Sequence, residues 1–225
     1  MKSKILVAGI LVLAILAGCK KDNKDAPGAR ITGRVVYNGQ PINVRTNGVQ
    51  LELWQSGYQL FTKIPVYVNQ DGTFSASVFD GTYKLTRLKG NGPWVDNTDT
   101  ISVQVSGSSN IDVPVTPYFI IKNESFQKSG SSITATCKVD QIVASKAIER
   151  ATLYIGATQF VDATNNADRL DLTGTTLADL SQTLTFNRAV PSALAGKDYV
   201  FVRIGVKAMG VSELIYTPVQ KIALK

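Results

Sequence analysis

From residue 29 onward, apolar and polar residues alternate with a period of two, the repeat of a strand that buries one face. Ile31, Gly33 and Val35 alternate with Thr32 and Arg34, and Val49, Leu51 and Leu53 with Gln50 and Glu52. A third strand is predicted over roughly 60–68, with Pro65 marking a sheet edge. Gln70-Asp71-Gly72 turns into 73–78, where Phe74, Ala76 and Val78 share a face. Asp80-Gly81 turns into 82–88, and strands at 101–105 and 111–115 complete seven in residues 29–116. That count, with a turn signal every eight to twelve residues, predicts a β-sandwich.

Pro114 and Pro117 mark a boundary, and residues 117–225 repeat the style without repeating the sequence. Ile133, Ala135, Cys137 and Val139 alternate with Thr134, Thr136 and Lys138, and Ala151, Leu153 and Ile155 with Thr152 and Tyr154. Further strands are predicted at 118–126, 183–186, 199–207, 214–216 and 219–224. The loop 162–182 is the least regular stretch, with room for one helical turn at 177–180. The expectation is all-β: two tandem sandwiches, the second of immunoglobulin/fibronectin-III type. Cys137 falls on the apolar side of its strand, the setting of a buried, inert thiol.

Residues 1–18 break this pattern. Lys2 and Lys4 precede an unbroken apolar run from Ile5 to Leu16, twelve residues and short of the roughly 20 a membrane span needs. Leu16-Ala17-Gly18-Cys19 follows. The string resembles the lipobox of bacterial lipoproteins. That resemblance implies cleavage before Cys19, acylation of its thiol and a lipid-anchored outer-membrane protein displayed at the cell surface. One acyl chain holds a protein to a bilayer only marginally, whereas several make the anchor durable. Residues 19–28 then read as a lipidated polar linker closed by the breaker pair Pro27-Gly28.

Composition narrows the chemistry. Histidine is absent, which removes Ser-His-Asp and Cys-His catalysis and imidazole metal sites. Two cysteines make no disulfide framework. Removing Lys2 and Lys4 from the formal charge of +7 leaves +5. Lys20, Lys21, Lys24, Arg30 and Arg34 follow Cys19, where anionic headgroups attract such charges, but Asp22 and Asp25 dilute the effect and a solvated tether is the competing reading. An exported location argues against nucleic acid as a partner. Asp96, Asn97 and Asp99 form one oxygen-rich loop, and Asp162, Asn165, Asn166, Asp168 and Asp171 another. Neither has EF-hand spacing, and Asx residues are common turn formers, so no metal and no cofactor is expected. No carboxylate pair can be placed at glycosidase separation, and no enzyme is expected.

Ile31-Thr32-Gly33-Arg34-Val35-Val36, Gln70-Asp71-Gly72-Thr73-Phe74 and Phe79-Asp80-Gly81-Thr82-Tyr83 resemble the transthyretin-like (prealbumin-like), carboxypeptidase-regulatory-like sandwich. With the lipobox, Gly92-Pro93-Trp94 and Val115-Thr116-Pro117-Tyr118, nearly the whole chain resembles an uncharacterised family of two-domain lipoproteins of Bacteroidota. Members are often encoded beside starch-utilisation-type transporters. The resemblance implies a supporting role in polysaccharide capture within an outer-membrane transporter complex, and no catalytic residues. A spacer or adhesin-stalk module binding protein partners is the competing expectation.

Aromatic residues are the candidate ligand contacts, because their apolar faces suit a pyranose ring and Tyr or Trp adds a polar edge. Trp54 lies on the polar parity of its strand and Tyr58 in the loop after it. Trp94 lies in the loop 89–99, with filling of the domain junction as its alternative role. If successive strands run antiparallel, Trp54 sits at the anchor end of the first domain and Trp94 at the opposite end.

Overall fold

The computed structural model describes residues 25–57 and 61–225. Cys19, residues 1–18 and Tyr58 lie outside the described residues. In the first domain, β1 (Ala29–Tyr37) is the centre of one sheet. It pairs antiparallel with β2 (Gln40–Pro41) and β5 (Thr73–Val78) along one edge and parallel with β8 (Ser108–Pro114) along the other. The second sheet runs β4 (Lys63–Tyr67), β3 (Gln50–Gln55), β6 (Gly81–Arg87), β7 (Ile101–Val105), all antiparallel. The predicted strands are all present. The eighth, β2, follows a turn at Asn38-Gly39 with φ of 50° and 76°, the left-handed pair that Asn-Gly supplies at little cost.

Alternation fills the space between these sheets. Ile31 and Val35, Leu51 and Leu53, Tyr83 and Leu85, and Val103 and Val105 are all buried between them. Each such side chain contributes about 1.5–3 kcal/mol by leaving water. The turn at 106–107 carries the chain from β7 in one sheet to β8 in the other, so β8 runs in the direction of β1.

The second domain packs a three-stranded sheet against a larger one. The first contains β9 (Phe119–Ser129), β10 (Ser132–Gln141) and β13 (Leu184–Ala189), with β10 central. The second runs β12 (Asp168–Leu172), β11 (Ile148–Gly156), β14 (Tyr199–Ala208). Two short strands, β15 (Ile215–Tyr216) and β16 (Gln220–Ala223), share the far edge of β14. β12 falls inside the stretch expected to be irregular, and the helical turn there is a 3-10 turn at Gly174–Leu177. A second short helix, α1 (Ser192–Ala195), precedes β14. Cys137 is fully buried in this core, and burial pushes its thiol up to about 12.

β11 and β14 depart from the simple inside–outside pattern. Their inward residues, Leu153, Ile155, Val202 and Ile204, fill the core as expected. Thr152, Tyr154 and Arg203 occupy outward positions and are buried as well. Loops around 161–163 and 211–219, together with the first domain, cover this outer face. Gly205 makes the covering possible: a Cβ there would stand 2.8 Å from the Tyr216 ring and 3.0 Å from that of Tyr154.

The domains are joined by more than the chain. Arg45 grips Glu213 with two bonds of 2.8 and 2.6 Å, and Glu213 is buried. The Tyr216 amide donates to the Asn43 carbonyl at 3.0 Å, and Arg203 Nη2 to the Gln70 carbonyl at 3.2 Å. Trp94 bridges Pro117, and the Val95 amide donates to the Thr116 carbonyl at 2.9 Å.

Candidate functional site

Of the expected ligand contacts, Trp54 stands on the open outer face of the sheet β4-β3-β6-β7. It pairs with Lys63 on one side and Lys84 on the other, opposite in parity to the buried Leu53. Its indole N–H donates to Thr86 Oγ1 at 3.2 Å, which fixes the ring across β3 and β6. The Phe61 ring lies 5.2 Å from it, tilted by 35°, and is 59% exposed. The two rings form an aromatic step at the end of the sheet's outer surface.

Polar groups surround the step. Lys63 Nζ donates to Glu52 Oε1 at 2.6 Å, so an ion pair borders the indole. Thr86 and Lys84 lie beside it on β6. Tyr67, half exposed, stands on β4 opposite Gln50, which is four residues before Trp54 in β3. At about 3.4 Å per residue, that puts an aromatic ring at each end of a face about 14 Å long. Glu52 is the single carboxylate among the outward positions of these four strands, and it is bound to Lys63. The face therefore offers stacking and hydrogen bonding.

Of the two roles open to Trp94 from sequence, its placement fits the junction filler. It is 3% exposed and lies in the first domain's core, its indole against Gly92, where a Cβ would come within 2.2 Å of the ring. Its backbone bridge to Pro117 makes it the filler of the junction. The two tryptophans lie at opposite ends of the domain. Trp54 is beside Gln55, Gly81 and the start of β1, whereas Trp94 adjoins the second domain.

The oxygen-rich loops are engaged with the protein itself. Asp96 Oδ1 accepts from the Gly90 amide at 2.7 Å and Asn97 Oδ1 from the Asp99 amide at 2.6 Å. The Arg87 guanidinium shares that hollow and donates to the Asp99 and Pro114 carbonyls, so a cation already occupies its polar wall. Asp162 Oδ1 accepts three bonds from Thr164 and Asn165, an Asx-type turn. Asp168 is held by Arg188 through bonds of 2.7 and 2.9 Å, which keep its carboxyl below the usual range. Asp171 accepts from Thr152 at 2.7 Å.

Sequence reasoning placed Trp54 on the outward parity of its strand and did not single out Phe61 or Tyr67. Tyr67 was detectable in principle, because it shares the outward parity of Lys63 and Pro65. Phe61 precedes the strand and offers no periodic signal.

Two family profiles cover the chain. The one described as the N-terminal domain of a protein of unknown function (DUF3823) matches residues 29–116, and the one described as DUF3823_C, a domain of unknown function, matches residues 119–221. No curated protein matches the sequence. A DUF3823 family protein from Bacteroides ovatus is 39% identical with a TM-score of 0.82, and one from Parabacteroides merdae is 38% identical with a TM-score of 0.81. Each match covers 88% of this chain and 100% of the other. A Bacteroides uniformis structure described as that of "a putative carbohydrate binding protein" shares the fold at 21% identity, with a TM-score of 0.73 and the same coverage. By both profiles and by these relatives, the chain belongs to the two-domain DUF3823 family.

Proposed function

We propose that this protein is a lipid-anchored, non-catalytic glycan-binding component of a polysaccharide uptake system at the outer membrane. The observation that carries this reading is the Trp54–Phe61 step on an outer sheet face where Lys63, Pro65, Tyr67, Thr82 and Lys84 are exposed. A flat saccharide ring buries its apolar face on such a step while Thr86, Lys84 and the Glu52–Lys63 pair meet its hydroxyls. The lipobox ending in Cys19 supports the anchor. The B. uniformis neighbour described in terms of carbohydrate binding shares the fold, which is compatible with the reading.

The test is a panel of soluble neutral polysaccharides (xylan, starch, β-glucan, mannan and pectic galactan) in affinity electrophoresis and calorimetry with the full chain in detergent. At least one should bind. Trp54→Ala and Phe61→Ala should each weaken it about tenfold, the size of one lost aromatic stacking contact of about 1.5 kcal/mol. Absence of binding across the panel, or binding unchanged in the double variant, overturns the proposal.

A further inference from the structure

Tyr67 is a large ring with little built around it. It is 50% exposed on β4, the outermost strand of its sheet. Among the described residues its side chain makes no hydrogen bond, ring contact or cation contact. Its neighbours Val66 and Val68 are buried, so Tyr67 points to the outer face. Gln50 lies opposite Tyr67, Glu52 opposite Pro65 and Trp54 opposite Lys63. Opposed residues of an antiparallel pair stand on the same side of a sheet, so Tyr67, Pro65 and Trp54 share one surface. Single exposed apolar side chains are ordinary, but Phe61 and Tyr67 fall on one surface with Trp54.

Pro65 lies midway along this surface and is exposed. The Val68 amide donates to the Val49 carbonyl at 2.9 Å, so by alternation the backbone nitrogen at position 65 faces the outer edge of the sheet. A proline there forfeits no bond to β3 and denies that edge a donor for an added strand. The face, rather than the edge, is left for a partner. A short apolar ring thus stands between the two aromatic ends, beside the Lys63–Glu52 pair, whose polar atoms can meet hydroxyls. Across the sheet the picture differs. From Trp54 the row runs through Lys84 to Ser102, and none of the outward positions on β6 and β7 is aromatic.

We propose that a linear glycan lies lengthwise along β3 and β4, with one unit on the Trp54–Phe61 step and a later unit on Tyr67. The proposal rests on the glycan-binding reading of the Trp54 face and adds the class of glycan it takes. The four residues from Gln50 to Trp54 span about 14 Å, which is about three pyranose repeats, so a chain of about four units touches both ends. Once the step holds the chain, contact with Tyr67 is intramolecular and carries no second cost of association. Longer linear chains are therefore preferred to mono- and disaccharides.

The test is calorimetry on the full chain in detergent with xylo-, malto-, cello-, manno- and galacto-oligosaccharides of two to six units. In at least one series affinity should rise at least tenfold from the shortest member that binds to the tetra- or pentasaccharide, then level off. Tyr67→Ala should weaken the hexasaccharide about tenfold, the worth of one stacking contact, and leave the shortest binding member within twofold. Tyr67→Phe keeps the ring and should keep the affinity. Trp54→Ala should weaken every length. Ser102→Arg obstructs a path across the strands and should leave the hexasaccharide unaffected. Thermal melting should show each of these exposed-face variants folded. Unchanged hexasaccharide affinity in Tyr67→Ala, affinity independent of length, or a loss of binding in Ser102→Arg overturns the lengthwise placement. If Trp54→Ala still weakens binding in those cases, the step stands and only the placement falls. If no oligosaccharide and no polysaccharide binds, both fall.

Discussion

Trp54 and Trp94 are the same residue in one domain and meet opposite demands. Trp94 sits in the core with Gly92 beneath its ring and ties the first domain to Pro117. Trp54 lies outside, held by one hydrogen bond to Thr86 and one ring contact. Deleting a buried indole removes transfer free energy and leaves a cavity, so Trp94→Ala should cost about 3–5 kcal/mol in denaturant unfolding. Trp54→Ala should cost about 1 kcal/mol or less, as open-face substitutions do. Equal losses in the two variants would refute this division of roles. Parity alone identified Trp54 as outward-facing, because its strand alternates cleanly. It could not separate the two roles open to Trp94, since a loop residue has no parity and its neighbours at Pro117 come from another part of the chain.

At the scale of elements, alternation located the long strands because each buries one face between two sheets. It missed β2, two residues long, and β12, whose Asp-Arg-Leu-Asp-Leu sequence has only half-buried leucines at an edge. It also misjudged the outer face of β11 and β14. Thr152 and Tyr154 read as solvent positions, and nothing local shows that residues 161–163, 211–219 and the first domain close over them. The contact of Arg203 with Gln70 was invisible for the same reason: the two residues are brought together by the junction. Gly205 is the test of that closure. A methyl group there would press on two buried tyrosine rings, so Gly205→Ala should lose about 1–3 kcal/mol through overpacking. On a solvent-facing strand the same change would be neutral or favourable, which is the outcome that would refute the packing of Tyr154 and Tyr216 over β14.

The whole molecule joins an anchor expected from sequence to a face seen in structure. The Trp54 step lies near the start of β1, so the chain enters the fold at the end of the domain that carries the step. Glu213 and Arg45 hold the second domain beyond the opposite end. If Cys19 carries the lipid, residues 20–28 set how far the step stands from the bilayer. Nine residues reach at most about 30 Å when extended, and a flexible chain of that length averages about 17 Å. A bulky polysaccharide must fit within that gap to reach Trp54, whereas a short oligosaccharide need not. Deleting residues 21–26 should therefore reduce capture of high-molecular-weight glycan by intact cells severalfold and leave oligosaccharide affinity unchanged. Cys19→Ser should release the protein from the membrane fraction and abolish capture by cells, while the released chain keeps its affinity in solution. Full polysaccharide capture by cells carrying the shortened linker would show that the step does not face the bilayer, and retention of Cys19→Ser in the membrane fraction would remove the anchor on which this geometry depends.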